Sequence, residues 1–231
     1  MCCALLVLDG LLQVRTMGPA TYSAPACGYV KPGFLNFYGS EGQLYANCKP
    51  FAIKGVNWFG SEGPQGVLEG LDRKPLAFFF EFFRRHRFNA LRLPFNHKSV
   101  SENRPIPVSR ISQTHNPMLF RPASNVGIDY IESLKQVVLA AEQQRVLVML
   151  SAHRLAPIDW PGDGLWYSRE FPESRLMETW TKLCEEFCNS WNVFAVDISH
   201  GTREMWSCHL LLKLPLFSLK RHGSSCFAFS F

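Results

Sequence analysis

Four apolar runs in this chain deliver reactive side chains to their ends. Ala52-Ile-Lys-Gly-Val-Asn-Trp58 closes on the amide of Asn57 and the indole of Trp58. Phe88-Asn-Ala-Leu-Arg-Leu-Pro94 carries the guanidinium of Arg92 near its end, and Arg145-Val-Leu-Val-Met-Leu150 leads into Ser151-Ala-His153-Arg154. The fourth run is Val193-Phe-Ala-Val-Asp-Ile198. Amide, indole, guanidinium and imidazole are hydrogen-bonding and stacking groups, the means of holding a polar ligand. Metal chemistry is not expected, because the eight cysteines contain no CxxC pair and the histidines have no ligand spacing. Taken singly, each residue has a bland explanation: an Arg after a strand is usually a solvated charge, and a loop Trp usually packs on its own domain.

The elements that must position these groups follow from periodicity. Phe34–Tyr38 and Gln43–Ala46 flank Gly39-Ser-Glu-Gly42 and read as a hairpin. Pro50–Asn57 reads as a first buried strand, followed by a helix from about Asp72 to His86 with Pro75 in its first turn. Phe78, Phe79, Phe80, Phe82 and Phe83 surround that helix, which predicts burial between two layers. Asn89–Leu93 is the second strand. A long loop with five prolines, 94–126, follows, and Asp129 then caps a helix whose apolar set is Tyr130, Leu134, Val137, Val138 and Ala141. Arg145–Leu150 is the third strand, Glu173–Asn189 a third helix and Val193–Ile198 the fourth strand. Strands apolar on both faces alternating with helices predict an α/β fold with a parallel sheet, helices outside and right-handed connections.

Composition narrows the classes. With 47% hydrophobic and 19% charged residues the chain is globular in character. Its net charge of +5 is scattered, and the densest cluster, Arg84-Arg85-His86-Arg87, sits at a helix C-terminus, where the helix dipole favours cations. No nucleic-acid partner is expected. No run approaches the roughly 20 apolar residues of a membrane span, so no membrane partner is expected either. Ala4–Leu8 begins like a signal peptide, but Asp9 and Gly10 cut it short. Cys184 and Cys188, four apart on one helix, read as buried free thiols.

The motifs together resemble glycoside hydrolase family 5, the cellulase-type endoglucanases. The resemblance covers about 33–206 and rests on the hairpin, Lys54–Trp58, Phe88–Pro94, His153-Arg154, Leu165-Trp-Tyr167 and Trp191-Asn-Val193, in order and register. It implies an incomplete (β/α)8 TIM barrel, the first four βα units preceded by a β-hairpin that caps the barrel's bottom. Residues 1–32 would be an N-terminal extension, 33–206 the barrel domain and 207–231 a tail foreign to the family. A closed barrel needs eight strands in about 250 residues, and active sites lie at the C-terminal strand ends.

The same resemblance implies a retaining endo-β-glucanase lineage, a polysaccharide or oligosaccharide substrate, no cofactor, no metal and an extracellular location. Arg92 matches the family Arg that bonds the nucleophile, and His153 matches the His lining the subsite beside the cleaved bond. Asn57, Trp58, Trp160, Trp166 and Tyr167 would contact sugar. Family members hydrolyse with two Glu carboxyls about 5 Å apart. Here Ser199 or His200 stands where the acid/base of Asn-Glu-Pro belongs, and the nucleophile has no counterpart in the 231 residues. Glu204, seven residues beyond Asp197, is a poor stand-in. The expectation is a chain that is inactive as written, with a non-catalytic carbohydrate-binding pseudoenzyme as the alternative. Open barrel edges predict self-association.

Overall fold

Residues 35, 37–40, 42–158 and 167–197 are described by the computed structural model, and the chain divides into two units after Ala52. The expectations for 1–32 and 207–231, and for Trp160, Trp166, Ser199, His200 and Glu204, lie outside the described residues.

The N-terminal unit carries a small antiparallel sheet of β1 (Phe37–Ser40), β2 (Gln43–Ala46) and β3 (Lys49–Pro50). The hairpin predicted from sequence is present, with Phe37 opposite Ala46 and Ser40 opposite Gln43. Asn47 and Cys48 both take positive φ, 47° and 65°, the conformation of a two-residue hairpin turn that matches strand twist. That turn sends Lys49–Pro50 back along β2 and corrects the expectation that a buried strand begins at Pro50. The Phe37 and Phe51 rings meet edge to face at 5.7 Å. Cys48 is disulfide-bonded.

The second unit is a four-stranded parallel sheet in chain order. Its elements are β4 (Gly55–Asn57), α1 (Leu76–Arg85), β5 (Ala90–Asn96), α2 (His97–Glu102), α3 (Tyr130–Gln143), β6 (Leu147–Arg154), α4 (Glu173–Phe187) and β7 (Val193–Asp197). Four parallel strands with a helix after each of the first three, among the described residues, bear out the predicted α/β class.

The helix boundaries have both local and distant causes. α1 starts four residues later than expected because Pro75 is its N-cap and 71–74 form turns. Asn116, fully buried, supplies the cap from a distance: its Oδ1 accepts from the Leu76 N–H, and its Nδ2 donates to the carbonyls of Leu71 and Lys74. At the other end Arg87 takes φ 58°, the left-handed conformation that ends many helices. The Arg87 and Phe88 amides bond back to the Arg84 and Phe83 carbonyls. The same closure recurs after α3, with Arg145 at φ 56° and its amide and that of Val146 bonded to Glu142 and Ala141. Arg145 therefore belongs to the helix stop, and the third strand begins at Leu147.

Asp129 is the N-cap of α3 by position, but its Oδ1 takes Arg121 at 2.8 Å instead of a helix amide. Asn103 Oδ1 accepts from Ile131 in its place. The stretch expected as one long loop is built structure. β5 runs on to Asn96, whose Oδ1 caps α2, and Ile106, Ile111, Leu119 and Phe120 are buried beyond it.

The core lies on one side of the sheet. Leu91, Leu93 and Phe95 of β5, Val148, Leu150 and Ala152 of β6 and Val196 of β7 meet Phe80 and Phe83 of α1, Val137 and Val138 of α3, and Trp180 of α4. One expectation is corrected here. Phe78 and Phe82 are 44% and 45% exposed, so α1 is buried on one face only. Alternation turns Asn57, Arg92, Met149, Ser151 and Asp197 to the sheet's other face, where Ala90, Ser151 and Ala195 are buried as well. Cys184 is buried and in no disulfide, as expected, whereas Cys188, at the C-cap of α4, is also in no disulfide but only half-buried.

Candidate functional site

The face of the sheet turned away from the helices carries a bonded polar cluster. Asn57 and Arg92 are register partners across β4 and β5, as are Ser151 and Asp197 across β6 and β7. Arg92 joins the pairs. Its Nη1 donates to Asn57 Oδ1 at 3.1 Å and its Nη2 to Asp197 Oδ2 at 2.8 Å. The Ser151 hydroxyl donates to the same Oδ2 at 2.7 Å. All four strands are thereby tied through side chains.

The Arg92 and Asp197 side chains are 19% and 26% exposed, between a surface pair and a buried one. Hydrogen bonds between ionised groups are short and roughly twice as strong as neutral ones, so the guanidinium plane is held from two sides. His153 lies two residues past Ser151 on the same face of β6, half-buried. The arrangement offers a fixed cation, a carboxylate, an amide and an imidazole on one half-open face. It is suited to binding hydroxyl-rich ligands.

The loop after β4 forms one rim of this face and is bolted down. The Ser61 hydroxyl donates to the Pro94 carbonyl, the Tyr130 hydroxyl donates to the Ser61 carbonyl, and Asn96 Nδ2 donates to the Glu62 carbonyl. The Glu62 carboxylate, nearly buried, accepts from the Gly60 amide at 2.7 Å. Burial pushes the Tyr130 phenol above its ordinary range, with the Glu62 charge adding to the effect and a backbone hydrogen bond from Asn96 opposing it.

Not every residue singled out in the sequence belongs here. Trp58 is 7% exposed, its indole N–H donates to the Glu69 carbonyl at 2.9 Å, and its rings pack on Phe79, Phe80 and Phe83. It is a core residue, one position past Asn57 and so on the helix side, with no face left for a sugar. Asn57, Arg92 and His153 share the open face, and Tyr167 is 46% exposed beyond the loop after β6. Asp197 and Ser151 were not singled out. The signal was present, since both sit at alternating positions near strand ends, but only the register brings them to Arg92.

A second polar group lies behind the sheet. His97, first residue of α2, is 3% exposed and meets Phe95 and Trp180 edge to face. Its Nδ1 lies 2.5 Å from Thr179 Oγ1, which itself donates to the Leu176 carbonyl, so Nδ1 is the donor. Burial lowers the imidazole pKa to about 3. His97 is a neutral core histidine. Among the described residues no group of three or more His, Cys, Asp or Glu side chains could hold a metal ion, and no helix is long and apolar enough to cross a membrane.

Comparison with known proteins agrees with this geometry. No protein-family model matches the chain. An endoglucanase of Paenibacillus polymyxa is 30% identical over 169 residues, which span 70% of this chain and 39% of that protein. Among solved structures, an endocellulase variant from Pyrococcus horikoshii in complex with cellotetraose superimposes with a TM-score of 0.63 at 26% identity, over 74% of this chain and 44% of that one. A cellulase–inhibitor complex superimposes with a TM-score of 0.59 at 28% identity, over 68% and 41%. The chain thus spans less than half the length of each of these proteins. Over that span it is cellulase-like in sequence and in fold, with four parallel strands of an incomplete (β/α)8 barrel.

Proposed function

We propose that this chain is a family 5 glycoside hydrolase by descent, of the retaining endo-β-glucanase type, and that as written it does not hydrolyse its glycan. The observation that carries the lineage is the cluster on the open face. Arg92 and His153, which the resemblance matches to the family's Arg and His, share that face, in a chain 30% identical to an endoglucanase over 70% of its length. Inactivity rests on sequence. Ser199 or His200 replaces the acid/base Glu, and a retaining mechanism without that group has nothing to protonate the leaving oxygen. Incubating the purified chain with cello-oligosaccharides and β-glucan should release no reducing sugar. Release that vanishes in Glu204→Gln would show that Glu204 does serve as the acid/base and would overturn inactivity.

The bonded polar face favours a second reading, binding without turnover. Cellotetraose, the ligand in the Pyrococcus horikoshii complex, is the appropriate probe. Calorimetry should detect binding that weakens in Trp166→Ala, and no heat at any concentration would refute this reading. The disulfide at Cys48 supports an extracellular location, since such bonds persist in oxidising compartments. β4 and β7 each have one partner strand among the described residues, which supports self-association through the sheet edges.

A further inference from the structure

We propose that the end of the sheet where its strands begin binds an acidic polysaccharide, whose carboxylates are received by Arg87 and Arg145. This surface is separate from the polar cluster around Arg92, and the proposal does not depend on the reading of that cluster.

The two arginines hold equivalent places. Arg87 follows the C-cap of α1 and Arg145 the C-cap of α3, at φ 58° and 56°. Ala90 faces Leu147 in the register of β5 and β6, and the Leu147 amide donates to the Asn89 carbonyl, so the two turns stand side by side. Both arginines are exposed, as is Arg84 in the last turn of α1. Lys54 adds a further cation: its Nζ donates to the His86 carbonyl at 2.7 Å and lies over the Phe88 ring at 4.8 Å. The carboxylates nearest in sequence are Glu81, 3.8 Å from Arg85, and Glu142, which is half-buried. Neither forms an ion pair with Arg84, Arg87 or Arg145 among the described residues.

Helix capping does not explain arginine at these places. The helix dipole favours a cation within a last turn, which accounts for Arg84 and Arg85. Beyond the C-cap a left-handed residue is ordinarily glycine, because a Cβ is disfavoured there. Arginine at both positions keeps a strain that glycine would remove, and strain of this kind persists where a function uses it. What arginine supplies and glycine lacks is a guanidinium, which pairs bidentately with carboxylates. Two such groups on neighbouring turns suit a ligand whose carboxylates repeat along a chain.

The compartment selects among polyanions. Cys48 is disulfide-bonded, which supports oxidising surroundings. Nucleic acid and the anionic lipid leaflet lie on the cytoplasmic side of the membrane, whereas uronate polysaccharides are polyanions of the extracellular side.

The test measures binding of the full chain to immobilised polygalacturonate at low and at physiological salt. The unaltered chain should bind, and more weakly at the higher salt. The double variant Arg87→Gly/Arg145→Gly should bind roughly fivefold more weakly, the effect of losing two exposed ion pairs, while unfolding at a higher denaturant concentration. Arg110→Gln/Arg169→Gln removes the same charge from the stretches after β5 and β6 and should bind as the unaltered chain does. Arg84→Gln leaves both turns untouched and should weaken binding about twofold, which decides the matter if the glycine variant does not fold. The proposal is overturned if the unaltered chain does not bind polygalacturonate, or if the folded glycine variant binds it undiminished. It is also overturned if the Arg110/Arg169 variant weakens as much, which would make net charge the cause, or if single-stranded DNA of equal charge binds more tightly. Failure with cellotetraose alongside binding of polygalacturonate would refute the open-face reading and leave this one standing.

Discussion

Acidification should destabilise this protein through His97, because the folded chain holds its imidazole buried and neutral. The imidazole is buried and neutral, and burial lowers its folded pKa to about 3 from the ordinary 6.5. Between these values the unfolded chain binds a proton that the folded one does not. Stability is therefore full above about pH 6.5 and falls as pH drops towards 3. At 1.36 kcal/mol per pH unit, the loss at pH 5 relative to pH 7.5 is about 2 kcal/mol from this one residue, rising to about 5 kcal/mol at the acid end.

Urea unfolding at pH 7.5 and pH 5, on the unaltered chain and on His97→Phe, would isolate the effect. Carboxylates contribute similarly in both proteins, whereas the phenyl ring fills the space beside Phe95 and Trp180 without a proton to bind. The unaltered chain should lose about 2 kcal/mol more than the variant across that interval. Equal losses would mean that His97 is protonated in the folded state, and the burial reasoning would fail.

Three further predictions follow from backbone and cap geometry. Gly60 has φ 123°, and an added Cβ would press on the Val67 carbonyl and lie 2.8 Å from the Glu69 nitrogen. Gly60→Ala should cost about 2–4 kcal/mol in chemical denaturation, and a loss under 1 kcal/mol would show that the rim loop relaxes freely. Arg87→Gly relieves a left-handed arginine at φ 58° and should raise stability by about 1 kcal/mol, read as a higher denaturation midpoint. Asn116→Ala removes three hydrogen bonds and strands buried backbone groups around the start of α1. A destabilisation of about 3 kcal/mol is expected, and α1 amides should lose hydrogen-exchange protection before those of α3.

Much of the fold was legible in the chain because it is written in local periods. Apolar runs of strand length alternating with amphipathic helices specify a parallel α/β sheet, and the positions of Asn57 and His153 near strand ends follow from those runs, whereas Arg92 lies inside a strand that continues to Asn96. The helix stop at Arg87 was legible too. What misled were side-chain directions and distant partners. Trp58 looked like a surface indole, yet it is one residue past Asn57, and strand alternation turns it into the core. Asp129 had the type of a cap, but an arginine eight residues earlier took its carboxylate. Pro50 belonged to the wrong sheet because two consecutive positive-φ residues are invisible in a hydrophobicity pattern.

By itself the sequence determined the class of fold, the order of its strands and the absence of Asn-Glu-Pro after the fourth run, since each is a property of neighbouring residues. Only the tertiary structure decided that Arg92 and Asp197, 105 residues apart, share a hydrogen bond, that Asn116 caps a helix 40 residues before it, and that His97 is sealed neutral beneath Trp180. Pairings and desolvation depend on which surfaces meet, and that is settled by strand register and packing, which no window of the sequence contains.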